Sequence, residues 1–155
     1  MKQKREESSD AKPRRLPLSR ERVLAAALAF ADKNGIEALS MRKLAGTLGV
    51  EAMSLYNHVA NKDDVLDGIV DLVAGEIEVP GSGPEAGWKD AMRRRATSAH
   101  QVLLRHPWAP LLMVSRVNVG PAMLRYVDAT IGCLRGAGFS FEFVDRAWNA
   151  IDSHV

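Results

Sequence analysis

The chain of 155 residues has a single cysteine, Cys133, so no disulfide can form within it, and the reducing cytoplasm is its natural compartment. It has no apolar run approaching the ~20 residues that span a bilayer, and its charged N-terminus has no apolar signal core. A membrane protein and an exported one are therefore not expected. Only four histidines occur, His58, His100, His106 and His154, and no two stand at i, i+4 around a carboxylate, as a zinc protease requires. Phosphate-cradling glycine loops, a Rossmann glycine set and a nucleophile elbow are missing as well. No strand alternation, internal repeat or low-complexity tract is present. An enzyme is not expected, and neither a metal nor a cofactor. Cys133, set among Ala129, Ile131 and Leu134, reads as a small core residue.

What is present is helical. Ser19 can cap a first helix carrying Val23, Leu24, Ala27, Leu28 and Ala31 at i, i+3, i+4 spacing, and Asn34-Gly35 ends it. Ser40 can cap a short helix, Met41 to Leu48, which Gly49 stops in the left-handed conformation. Ala52 to Val59 reads as a second short helix. A helix, a glycine turn and a helix form the helix-turn-helix pattern, whose second helix enters the DNA major groove. Ala52, Ser54, Asn57 and His58 are its small or polar groove-facing candidates. Asn61 caps the next helix, Lys62 to about Glu78, with Lys62 placed at its N-terminus where phosphates bind.

Charge is distributed to match. Residues 1–62 carry twelve Lys/Arg against seven Asp/Glu, whereas the remainder carries nine against twelve. The basic excess thus falls on the part with the helix-turn-helix. Residues 1–18, charged and Pro-broken, read as a disordered basic arm, with Lys12, Arg14 and Arg15 near the first helix. Pro80 to Pro84 marks the boundary between a DNA-binding domain, 19–79, and a second helical domain, 85–155. That second part predicts helices from Glu85 to about Arg105, a short one after Pro110, one from Pro121 to about Gly136, and a last one capped by Ser140 with Phe143, Val144, Ala147, Trp148 and Ile151. The last pattern still runs at Val155, so the sequence reads as cut short of its final helices. The fold class is all-α, with about eight helices.

Residues 19 to about 78 resemble the DNA-binding domain of TetR-family bacterial regulators. The segments that carry the resemblance are NGIEALSMRKLAGTLGV and SLYNHVANKDDVLDGI. The second half, in GWKDAMRRRATSAHQVLLRHPW and LRGAGFSFEFVDRAWNAIDSHV, is similar to the ligand-binding and dimerisation domain of the tetracycline-repressor branch. The resemblance implies a DNA-facing set of Ser40, Arg42, Ala52, Met53, Ser54, Tyr56, Asn57, His58 and Lys62. Within it Arg42 contacts a base edge, and Tyr56 and Lys62 grip phosphates. Elementary chemistry agrees, since Arg suits guanine, Asn suits adenine, and Tyr and Lys hold backbone oxygens.

It also implies a homodimer on a double-stranded, palindromic operator, released by a small molecule, in the bacterial cytoplasm at the nucleoid. Repression is the expected mode. The histidines that hold a Mg²⁺–tetracycline complex in that branch fall here near Ile77–Glu78 and Met113, so that complex is not expected to bind. A largely apolar effector is expected instead, with Trp88, Arg95, Met113, Arg116, Tyr126 and Trp148 as wall or anchor candidates. The alternative is a helical small-molecule-binding or interaction module whose helix-turn-helix is only structural.

Overall fold

The computed structural model describes residues 17–81, 87–117 and 120–152. Residues 1–16 of the basic arm and His154 lie outside them, whereas Leu18, given to the arm by its sequence, packs against the core. Among the described residues there are eight α-helices and no strand: α1 Arg20–Asn34, α2 Met41–Leu48, α3 Ala52–Leu55, α4 Lys62–Glu76, α5 Trp88–Arg105, α6 Ala109–Ser115, α7 Pro121–Gly136 and α8 Phe141–Asp152, with a single 3-10 turn at Ile36–Ala38. No helix among them is long and apolar enough to cross a membrane.

The helix starts follow the capping chemistry. Ser19 Oγ accepts from the Arg22 N–H, Ser40 Oγ from that of Lys43, and Asn61 Oδ1 from that of Asp64. Gly49 ends α2 at φ 67°, ψ 37°, a left-handed conformation that a Cβ would oppose. Two ends differ from expectation. α3 stops at Leu55 rather than Val59, because the Tyr56 and His58 N–H groups bond to carbonyls three residues back, on Met53 and Leu55. The chain tightens into turns there, and Val59 still reaches the core at 3 % exposure. α4 ends at Glu76, two residues early, because Ile77 turns extended and buries its side chain.

α1, α2 and α3 pack as a three-helix head, and α4 lies between this head and the body formed by α5–α8. One core runs through both: Val23, Leu44, Leu55, Val65, Ile69 and Val70 on the head side, continuous with Ala99, Val102, Trp108, Ala109 and Tyr126 on the body side. Each large apolar side chain so buried contributes roughly 1.5–3 kcal/mol relative to exposure. A smaller cluster of Met92, Leu134 and Val144 joins α5, α7 and α8, with Cys133 partly buried against it. Leu72, Leu104, Leu124 and Phe143 are exposed, since α4, α5, α7 and α8 each carry apolar positions around more than the face they bury.

Candidate nucleic-acid interface and effector cavity

Leu44 and Ala45 of α2, Leu55 of α3 and Val59 are buried, and they pin α3 across α2. What remains outward follows from this. Arg42, Met53, Tyr56, Asn57 and Lys62 are exposed, and Ala52, Ser54 and His58 are half-buried. Ser40 is half-buried, with its hydroxyl oxygen occupied as the α2 cap. The outward set thus holds a guanidinium, a carboxamide, a phenol and an ammonium, the groups that read bases and hold phosphates.

The tail of this surface is clamped to α1. Arg20 donates to both carboxylate oxygens of Asp64, at 2.8 and 2.6 Å, and its Nη1 lies 3.5 Å from the His58 carbonyl. Asp64 also accepts from the Ala60 N–H at 2.8 Å. The Arg20 hydrogen bonds hold the Asp64 carboxyl below its usual value, and Asp64 in turn raises Arg20. This fixes the turn after α3 between α1 and the start of α4.

A cavity of about 670 Å³ lies in the body, bounded by Leu103, Pro107, Met113, Met123, Tyr126 and Trp148. His100 and the Tyr126 phenol are among the few polar groups of its lining. Arg95 sits behind this wall at 1 % exposure, its guanidinium 4.5 Å from the Tyr126 ring and 4.9 Å from that of Trp148. Tyr126 and Trp148 meet edge to face at 5.6 Å. Four of the six sequence candidates therefore gather here: Met113, Tyr126 and Trp148 on the cavity, Arg95 beneath it. Trp88 is elsewhere, packed on Phe139 beside a separate cleft of about 630 Å³. Arg116 turns away from the cavity to α4, where it donates to Asp67 at 2.6 Å and Asp63 at 3.1 Å.

Residues 23–69 match the family described as "Bacterial regulatory proteins, tetR family", and residues 80–155 match "Tetracyclin repressor-like, C-terminal domain". ActR of Streptomyces coelicolor, solved with (S)-DNPA, superposes with a TM-score of 0.81 at 33 % identity, over 90 % of this chain and 68 % of ActR. The chain belongs to the TetR family. ActR is also solved with actinorhodin, at a TM-score of 0.80. BioQ bound to its double-stranded DNA operator superposes with a TM-score of 0.75 at 26 % identity, over 89 % of this chain and 83 % of BioQ. An HTH-type transcriptional regulator of Saccharopolyspora erythraea is 40 % identical over 139 residues, 89 % of this chain. The chain spans 58 % of that relative's length.

The sequence did not single out the contacts that join head to body in this TetR-family chain. Asp32, in the last turn of α1, lies 2.7 Å from His106 Nδ1 and accepts from Trp108 Nε1 at 2.8 Å. The other His106 nitrogen is 3.4 Å from the Glu76 carboxylate, which also accepts from Arg105 at 2.6 Å. Burial works to raise the Glu76 carboxyl, but the bonds from Arg105 and His106 outweigh it and hold the group low. Further up α4, Asp71 Oδ1 accepts from the Ala122 and Met123 N–H groups at 3.0 and 2.9 Å, capping α7 from outside. One signal was legible. An acid in the last turn of a helix opposes the helix dipole and asks for a partner.

Proposed function

We propose that this protein is a DNA-binding transcriptional regulator, a repressor that binds a palindromic operator as a homodimer and is released by a small, largely apolar molecule. The observation that carries the proposal is the outward set on α2, α3, the turn after it and the start of α4: Arg42, Met53, Tyr56, Asn57 and Lys62 are held out to solvent while Leu44, Leu55 and Val59 are buried. A major groove about 12 Å wide admits the second helix of such a pair, while the first crosses the backbone. The BioQ–operator complex supports the same placement of the head on duplex DNA.

Residues 19–79 form the DNA-binding unit and 85–155 the effector and subunit-contact unit, with α4 shared between them. Exposed Phe141 and Phe143 on α8 and Leu124 on α7 supply apolar surface for a subunit interface. Two-fold related heads then read two half-sites. The protein acts in the bacterial cytoplasm, at the nucleoid.

The effector occupies the cavity between α5, α6, α7 and α8. ActR, which superposes over 90 % of the chain, is solved with actinorhodin, and this supports a small-molecule occupant. Release runs through α4. Met113 and Met123 line the cavity, while Arg116 is bonded to Asp63 and Asp67 of α4 and the start of α7 to Asp71. An effector shifts the balance between head positions only by its difference in affinity for them.

The test is selection of bound sequences from a random duplex pool, followed by titration of affinity against salt. A two-half-site sequence is expected, with log affinity falling by about 0.9 per neutralised phosphate for each unit of log salt. Finding no duplex bound even at low salt overturns the proposal.

A further inference from the structure

We infer that Met53 reads the 5-methyl group of a thymine in each operator half-site. The inference rests on the DNA-binding function proposed above and names the chemistry one residue recognises there. Met53 is 74 % exposed. Among the described residues from 17 to 62, Tyr56 at 45 % is the one other large apolar side chain left exposed, and all the rest are buried or half-buried.

This exposure is built in by the helix geometry. Leu55, fully buried, anchors α3 to the head. At ~100° per residue, Met53 lies about 200° around the helix from Leu55 and so points straight away from the core. No repacking of α3 on α2 can hide Met53 without withdrawing Leu55.

A thioether makes only weak hydrogen bonds, so Met53 cannot read the donors and acceptors of base edges as Arg42 or Asn57 can. The polar edge atoms of guanine, cytosine and adenine in the major groove offer it nothing. The thymine 5-methyl is the one apolar group that the four bases present there. An unbranched side chain with three rotatable bonds can reach such a methyl without demanding a fixed geometry. Tyr56 carries a hydroxyl that takes it to phosphate, which leaves Met53 as the apolar reader on α3.

The experiment uses the full-length protein and the operator found by selection. Each thymine of the half-site is replaced in turn, in both half-sites, by deoxyuridine, which removes the methyl and keeps the pairing. At one position binding should weaken by about fourfold per half-site, the effect of withdrawing one methyl group from apolar contact. Cytosine at that position should also weaken binding, and 5-methylcytosine should recover about the same fourfold over cytosine. The variant Met53→Ala should bind the operator more weakly and lose the methyl dependence at that position alone. Met53→Gln, close in length but amide-tipped, should move the preference there towards adenine. A methyl dependence that survives in Met53→Ala, or no methyl dependence at any thymine, overturns the inference while leaving operator binding intact. Failure to select any duplex is a different result, because it removes the DNA-binding function itself.

Discussion

Gly120 allows a sharp test of how α4 holds the body. It sits at the N-terminus of α7 with φ −63° and ψ 154°, a conformation open to any residue. The backbone therefore does not require glycine; the neighbouring carboxylate does. A Cβ at this position would lie 2.2 Å from both Cγ and Oδ1 of Asp71. Pro121 has no N–H, so the first donors of α7 are those of Ala122 and Met123, and both go to Asp71. In Gly120→Ala the carboxylate must move and the two donors lose their acceptor. Losing a cap costs about 0.5–2 kcal/mol. The alanine also restricts the unfolded chain, which returns about 0.4–1 kcal/mol. The expected net effect is a destabilisation of about 0.5 kcal/mol, or roughly 1–2 °C in Tm for a chain of this size.

The decisive measurement is the same substitution made in Asp71→Gly, which removes the Asp71 Cβ, itself 2.7 Å from the added one, together with its carboxylate. There the cap is already gone and the Cβ has room, so only the unfolded-state gain remains. Gly120→Ala should now stabilise by about 0.4–1 kcal/mol. The sign of one substitution thus depends on a residue 49 positions away in sequence. Urea unfolding followed by far-UV circular dichroism, at one fixed protein concentration so that any association is held constant, gives all four corners of the cycle. If Gly120→Ala destabilises equally in both backgrounds, the clash with Asp71 is not what excludes a side chain there, and the account of this joint is wrong.

Three further outcomes are expected. Asp32→Ala leaves the buried donors of His106 and Trp108 without their acceptor and should destabilise by about 2–4 kcal/mol, while Asp32→Asn, which keeps a carbonyl, should cost less; thermal unfolding distinguishes the two. Arg20 holds the folded Asp64 carboxyl below its usual 3.8, so the unfolded chain protonates first as pH falls. The stability from this pair is present above that value and is lost as pH drops through the lower folded one, so the gap in urea midpoint between the parent and Asp64→Asn should close in acid. A gap that stays constant into strong acid contradicts the pairing. Tyr56→Phe with Lys62→Ala should weaken all duplexes about equally and reduce the salt slope while keeping operator preference; a selective change at one base pair would show that these residues read bases instead.

Local chemistry made much of this protein legible in its sequence. Ser19, Ser40 and Asn61 start helices because their side-chain oxygens satisfy nearby N–H groups, and Gly49 stops one because it lacks a Cβ. These depend on residues within one turn, as do the apolar stripes of α1 and α2, and the all-α fold and the helix-turn-helix follow from them. Around α3 the residues alone pointed to Ala52, Ser54, Asn57 and His58 as groove-facing, of which the structure leaves Asn57 exposed and the others half-buried, whereas Met53 and Tyr56 entered through the family resemblance.

What tertiary structure alone decided is the pairing of distant groups. Nothing in the local pattern around Arg116 distinguishes a cavity anchor from a strut to α4; only the approach of Asp63 and Asp67, about fifty residues earlier in the chain, settles it. Trp88 and Trp148 are both tryptophans on amphipathic helices, yet one packs on Phe139 and the other walls the cavity, because helix crossing sets which faces meet. The end of α3 at Leu55 and the joint of Asp32 with His106 and Trp108 are of the same kind. A cap is written in adjacent residues, whereas an ion pair between helices exists only once packing has brought their faces together.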